Sequence, residues 1–449
     1  MLSLQEKDRR YLWHPYTQMK DFAERDLLLI DRAEGIRLID EHGRTYFDTI
    51  SSWWCILHGH NHPTIKAAVI KQLDRVEQVL LAGTSHEAAI LLAEQLVLLT
   101  PPNLTKVFYS DNGSTACEIA FKMSIQYWRH VGQPQRNQLV ALERGYHGDT
   151  IGTMSLGGTP EFHGAFAGML FDSHRLPSPY CFRCPYGLAQ ASCDCECLQP
   201  YVDLLAKQGE QIAALIIEPL IQAAGGMIIY PVKYLENIVA LSRTHGVHLI
   251  FDEVATGFGR TGTMFAMEQA GVSPDFLCLS KGLTAGYLPM AATLTSEEVY
   301  QAFYGDYQEG KTFFHGHTFT GNPVAAAAAL GSLQVFAEEQ TMAGLPEKIQ
   351  RLHGRMARFA ELPWVGDVRQ LGMISALELV KDESAAPYGF NDRVGWPIYL
   401  AGLKEGVLLR PMGNVMYLWL PLSTTIAEID EICERVWRVL SDPQNIVGW

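Results

Sequence analysis

The chain has no apolar run that approaches the roughly 20 residues a membrane helix requires; its longest small-residue stretch, 325–330, is far too short to span a bilayer. The opening segment, Met1 to Asp8, lacks the apolar core of a secretory signal. Positive charge is scarce. Thirty-five Lys and Arg face 49 Asp and Glu for a net charge of −14, which argues against nonspecific nucleic-acid binding and against docking on anionic lipid. No internal repeat is visible, and nine cysteines in 449 residues do not make a disulfide scaffold. These absences point to a cytoplasmic protein with no nucleic-acid or membrane partner.

What is present is enough apolar residue (48%) for a large core in a chain too long for one ordinary domain. Short apolar runs at 106–110, 138–142, 213–217, 247–251, 276–279 and 290–294 are bounded by polar residues, Gly or Pro. Helix-period segments such as 114–127 and 234–245 intervene. That alternation predicts an α/β fold with a mostly parallel sheet covered by helices on both faces. The pattern restarts with strands near 373–378, 407–409 and 415–420 and a helix from about 425 to 440. A hairpin is expected from 35–38 and 45–47 around His42-Gly43. The chain therefore divides into a large domain, 61–334, and a smaller α/β domain built from both ends, 1–60 and 335–449.

Lys281 follows the run 276–279, and Asp252 closes the run Leu249-Ile250-Phe251. A strand-end lysine and a strand-end aspartate are what pyridoxal phosphate needs: an amine for a Schiff base and a carboxylate that keeps the pyridine nitrogen protonated. Taken alone, the pair is equally a solvated loop lysine and a capping aspartate. Asp111-Asn112-Gly113-Ser114 runs from a strand into a helix, where backbone N–H groups and a hydroxyl can seat a phosphate, although Asn and Ser there are also ordinary caps. Tyr146, in Gly145-Tyr146-His147-Gly148-Asp149-Thr150, can stack on a flat heterocycle or sit in the core. Ser51-Ser52-Trp53-Trp54 can wall an apolar substrate or pack internally. Arg410, at a strand end, can clamp a carboxylate or form a surface ion pair. His315, Gly316, His317 and Thr318 lie in a loop suited to reaching a phosphate, with no carboxylate or third ligand nearby in sequence to support a metal there. Cys181, Cys184, Cys193, Cys195 and Cys197 form a CxxC followed by CxCxC, which has metal-ligand spacing; the alternative is a reduced surface insertion without metal.

Together these segments resemble the class III aminotransferases of the fold type I pyridoxal-phosphate enzymes, above all in the run from Phe251 to Gly262 with Lys281 at its expected distance. The resemblance covers nearly the whole chain. Within that group, Trp13-His14-Pro15-Tyr16-Thr17-Gln18-Met19, Ser51-Ser52-Trp53-Trp54 and Leu409-Arg410-Pro411 are similar to the 7,8-diaminopelargonic acid aminotransferases of biotin synthesis. Those enzymes usually transfer the amino group of S-adenosylmethionine to 8-amino-7-oxononanoate. The resemblance implies a homodimer with its site at the subunit interface. It implies Lys281 as the Schiff-base lysine, Asp252 as partner of the ring nitrogen, and Gly113, Ser114 and Thr318 as phosphate contacts, Thr318 coming from the other subunit. Tyr146 would stack on the ring, His317 would lie beside the cofactor, and Tyr16, Trp53, Gly316 and Arg410 would meet substrate. Two departures bear on substrate choice. His317 stands where many members have proline and a lysine-using variant has histidine. The segment from Glu218 to Gly226 lacks the glutamate that ornithine-type relatives place before the glycine.

Overall fold

The computed structural model describes residues 1–446; residues 447–449, the end of the segment assigned to the smaller domain, lie outside the described residues. Strands β1 (Ile30–Glu34), β2 (Arg37–Asp40) and β3 (Thr45–Phe47) form an antiparallel sheet near the N-terminus. The β2–β3 hairpin pairs Leu38 with Tyr46, as the sequence suggests. Asp40 makes its turn by accepting from the backbone N–H groups of His42 and Arg44 at 3.0 and 2.8 Å.

Next come β4 (Lys106–Ser110), β5 (Gln138–Leu142), β6 (His174–Leu176), β7 (Ile212–Ile217), the pair β8 (Ile221–Gln222) and β9 (Ile228–Ile229), then β10 (His248–Asp252), β11 (Phe276–Leu279) and β12 (Ala291–Thr295). Seven of them make one sheet in the order β4-β12-β11-β10-β7-β5-β6. Every neighbouring pair is parallel except the two that β12 makes. Strands β7, β10 and β11 are buried along their whole length, so they read as continuous apolar runs rather than alternating ones. The helix Gly113–His130 lies on the sheet through Ala116, Ile119, Ala120, Met123 and Tyr127, the spacing of one helical face. The alanine run is buried in the helix Pro323–Glu338, where small side chains permit close approach: a Cβ at Gly331 would stand 3.0 Å from the Ile65 Cα. Among the described residues, no helix is long and apolar enough to cross a membrane.

The last sheet is antiparallel: β13 (Val365–Leu371), β14 (Ile374–Leu379) and β15 (Val415–Trp419). The segment 407–409 forms a single bridge from Val407 to Phe47 rather than a strand, because Pro411 just beyond it has no N–H to extend a ladder. This bridge joins the two chain ends. Leu408 N–H donates to the Phe47 carbonyl at 2.9 Å, and Trp419 N–H to that of Thr49 at 2.7 Å. Strands β1, β6 and β13 carry little apolar signal, being short or half-exposed, and the sequence gives no warning of them.

Candidate active site

Strands β10 and β11 are adjacent and parallel, with Asp252 in register with Cys278, so their C-terminal ends deliver Asp252 and Lys281 to the same edge of the sheet. That edge is where open α/β sheets bind ligands. Asp252 is buried, and its position is fixed on three sides. His147 Nδ1 donates to Oδ2 at 2.8 Å, the Val254 N–H to Oδ1 at 3.1 Å, and the Cys117 thiol approaches Oδ2 at 3.5 Å. Lys281 begins a short turn with φ of 28°, a conformation that costs free energy for a residue with a side chain. Its Nζ lies 5.1 Å from the centre of the Trp54 ring. Burial lowers the Lys281 ammonium below the ordinary lysine value, against the opposing pull of Asp252 and Glu218. The amine is thus closer to the neutral, nucleophilic form than a surface lysine.

Beside Asp252 the helix Gly113–His130 presents its N-terminus. Asn112 caps it, accepting from the Thr115 N–H at 3.1 Å. A Cβ at Gly113 would sit 2.6 Å from Val254, and one at Gly148 would collide with the Ser114 hydroxyl. Both glycines therefore let the helix start close against the loops that carry Asp252 and His147. The buried Ser110 hydroxyl and His317 Nε2 have no hydrogen-bond partner among the described residues. Free donors at a helix start, a fixed carboxylate and a buried lysine held below the ordinary lysine value fit a phosphate-bearing pyridine aldehyde.

The substrate candidates from distant segments converge in a chain of contacts. The Tyr16 hydroxyl lies 3.3 Å from that of Tyr146 and donates to Asp149 at 2.7 Å. Burial raises the Tyr16 phenol to about 12, so it remains a donor at neutral pH. The Tyr16 ring meets Trp53 edge-on at 5.5 Å, and the Arg410 guanidinium rests 4.5 Å over Trp53. Arg410 is half-buried, and among the described residues no carboxylate lies within ion-pair distance of it. His317 lies apart from this cluster, 3.8 Å from Asp111 at the phosphate-seat loop. Gly316 and Thr318 are exposed on the same loop, and no described contact joins them to Lys281 or Asp252.

Several groups in the site were not assigned from the sequence. His147 and Asp149 sit inside the Tyr146 motif, but only folding shows that they hold Asp252 and Tyr16. Glu218 accepts from the N–H groups of Tyr146 and Ala223, and burial raises its carboxyl to about 7. Its signal is the Glu-Pro that ends the buried strand β7. Residues 51–54 turn left-handed, with Trp54 stacked on Trp419 at 4.8 Å and Trp53 facing Tyr16. Cys117, His147 and Asp252 have metal-like spacing, but here they form the support around a single carboxylate.

Residues 20–440 match the family described as Aminotransferase class-III. The adenosylmethionine-8-amino-7-oxononanoate aminotransferase of Geobacter sulfurreducens is 46% identical over 95% of both chains, and that of Aquifex aeolicus 48% over 97% of both. The crystal structure of the Methanocaldococcus jannaschii enzyme of the same name superposes with a TM-score of 0.92 at 41% identity, covering 98% of each chain. A pyridoxal-phosphate-bound amine transaminase from an uncultivated Pseudomonas species superposes at 0.91 with 33% identity, covering 96% of this chain and 98% of that one. The chain belongs to the class III aminotransferases, enzymes that work with pyridoxal phosphate.

Proposed function

We propose that this enzyme carries out the amino-transfer step of biotin synthesis, moving the amino group of S-adenosylmethionine to 8-amino-7-oxononanoate to give 7,8-diaminononanoate. The observation that carries the reading is the aligned Arg410–Trp53–Tyr16–Tyr146 surface. It offers an aromatic wall ending in an unpaired guanidinium, which suits a long acceptor with a distal carboxylate. The names of relatives at 46–48% identity support it.

When bound, pyridoxal phosphate supplies an aldehyde for covalent capture of amines and a ring that takes up the electron pair released at the substrate carbon. Gly113 and Ser114 would hold its phosphate, with Thr318 reaching it from the second subunit of a cytoplasmic homodimer. Tyr146 would stack on the ring. Asp252, fixed by His147, keeps the ring nitrogen protonated. The Lys281 Nζ would hold the cofactor between turnovers and, once free, would take the proton from the substrate's amine-bearing carbon; burial lowers its basicity below that of a surface lysine. Tyr16, Trp53 and Gly316 border the bound substrate, and Arg410 holds the acceptor carboxylate. Donor and acceptor use one pocket in turn, which gives ping-pong kinetics. We assign 1–60 with 335–449 to the smaller domain and 61–334 to the larger, the site lying where they meet.

His317 favours a second reading, in which lysine is the donor to the same acceptor. Its place beside Asp111, away from Tyr16 and Trp53, supports an influence on cofactor geometry instead. The test mixes cofactor-loaded enzyme with S-adenosylmethionine, lysine or glutamate and follows loss of the visible absorbance of the Lys281-bound cofactor. Reaction with S-adenosylmethionine, reversed by 8-amino-7-oxononanoate, is expected. Reaction with lysine alone would replace the donor. Reaction with glutamate but no response to 8-amino-7-oxononanoate would point to another class III activity, such as a glutamate-semialdehyde aminomutase. No response to any amine would leave a silent cofactor-binding scaffold.

A further inference from the structure

The insertion between β6 and the helix Gln199–Gln208 carries chemistry that amino transfer does not use. Five of the nine cysteines, Cys181, Cys184, Cys193, Cys195 and Cys197, line one open cavity, and all five are free thiols. They enter it from two tight turns. One is the short 3-10 turn Cys181–Arg183, which leads into Cys184; the other bends between Cys193 and Cys197, with Cys195 in the left-handed region at φ 66°. In the second turn the Cys195 N–H donates to the Cys193 sulfur at 3.2 Å. The Cys193 thiol in turn donates to the Glu196 carboxylate at 3.1 Å. We propose that Cys181, Cys184, Cys193 and Cys197 bind one structural Zn²⁺ in a tetrahedral site.

The spacing CxxC, then CxxxC from Cys193 to Cys197, supplies two ligands from each turn, as four-thiolate zinc sites require. Cys195 is left out. It is the most buried of the five, and its backbone forms the bend that brings Cys193 and Cys197 to the same cavity. The sulfurs stand splayed, since no three of them lie within 4.8 Å of one another. Zinc–sulfur bonds of about 2.3 Å would draw the two turns together over the cavity.

The consequence is mechanical. Tyr180 and Arg183, next to and inside the first turn, both hydrogen-bond to Glu378 of β14, Arg183 at 2.5 Å. Arg183 also donates to the Ala385 carbonyl at 3.1 Å. An ion that fixes Cys181 and Cys184 would therefore fix the grip of the insertion on the C-terminal sheet.

The test is metal analysis of the cofactor-loaded enzyme purified under reducing conditions. About one zinc per chain is expected in the natural enzyme and in Cys195→Ser, and none in Cys184→Ser or Cys193→Ser, with the visible cofactor absorbance retained in all four. Zinc retained by Cys184→Ser, or lost from Cys195→Ser, would overturn the ligand set. Should the ligand variants fail to fold, the natural enzyme decides: after zinc is stripped, added Co²⁺ should give thiolate charge-transfer and tetrahedral visible bands saturating at one ion per chain. No such bands, or a disulfide among these residues in freshly reduced protein, would overturn the site.

Discussion

Arg410 is a half-buried cation stacked on Trp53 with no carboxylate at ion-pair distance among the described residues, so its charge is available to a ligand. Arg410→Ala should raise the KM for the acceptor by roughly 10- to 100-fold, the loss of a charge-assisted pair of about 1.5–3 kcal/mol. The donor half-reaction, followed by stopped-flow absorbance, should change far less; equal damage to both would give Arg410 a structural role. Glu218 makes a different kind of residue-scale prediction. Burial raises its carboxyl from 4.5 to about 7, so between those pH values the folded chain keeps a proton that the unfolded chain has released. Its contribution to stability is full below pH 4.5 and is lost as pH rises through about 7, a change of roughly 3 kcal/mol. Glu253 carries the same shift for the same reason. Glu218→Gln should therefore about halve this pair's share of the slope when urea unfolding is compared at pH 5 and pH 8. An unchanged slope would mean that Glu218 titrates normally.

At the scale of an element, the turn Ser51–Trp54 is the costliest backbone in the site. Its four consecutive φ values are 49°, 44°, 72° and 74°, and none of the residues is glycine. Left-handed geometry costs on the order of 1–2 kcal/mol per residue, so the surroundings must hold it. Arg260 does so from the core, donating to the Ser51 hydroxyl and to the carbonyls of Trp54, Ile56 and Leu420 at 2.6–3.2 Å. Asp48 holds the other side, accepting from the Ser52 N–H and hydroxyl at 2.9 and 2.7 Å. Burial lowers the Arg260 guanidinium to about 9, still charged at neutral pH. Arg260→Lys keeps the charge but cannot span four acceptors. It should cost roughly 2–4 kcal/mol in chemical denaturation, as buried carbonyls lose partners, and should raise substrate KM by displacing Trp53. Full stability together with an unchanged KM would show that the turn holds itself.

At the scale of the whole molecule, Gly316 and Thr318 lie on a loop flanked by exposed aromatics, Tyr304, Tyr307, Phe314 and Phe319 at 61–88% exposure. A surface this apolar suits a second copy of the chain. If Thr318 serves the partner's phosphate, mixing inactive Lys281→Ala with inactive Thr318→Glu should restore activity. Each mixed dimer then holds one intact site, so random exchange should recover about a quarter of the natural activity. If Thr318 acts within its own chain, both sites of the mixed dimer stay defective and nothing is recovered.

Six of the seven strands of the large sheet were legible within a residue or so because each is written as a short apolar run between polar residues, Gly or Pro, the buried parallel β7, β10 and β11 most plainly. Lys281 and Asp252 were legible because their chemistry follows directly on such runs. The sequence by itself thus determined six strands of the sheet and put the lysine and the aspartate at their ends. Only the tertiary structure decided how that chemistry is held. Tyr16 reaches Asp149 across 133 residues, and Arg260 reaches Trp54 across 206. No local pattern encodes such pairings, because they depend on how whole elements pack. Nor does Ser-Ser-Trp-Trp announce a left-handed turn, since none of those side chains favours positive φ. The turn exists because buried hydrogen bonds from elsewhere in the chain offset its local cost.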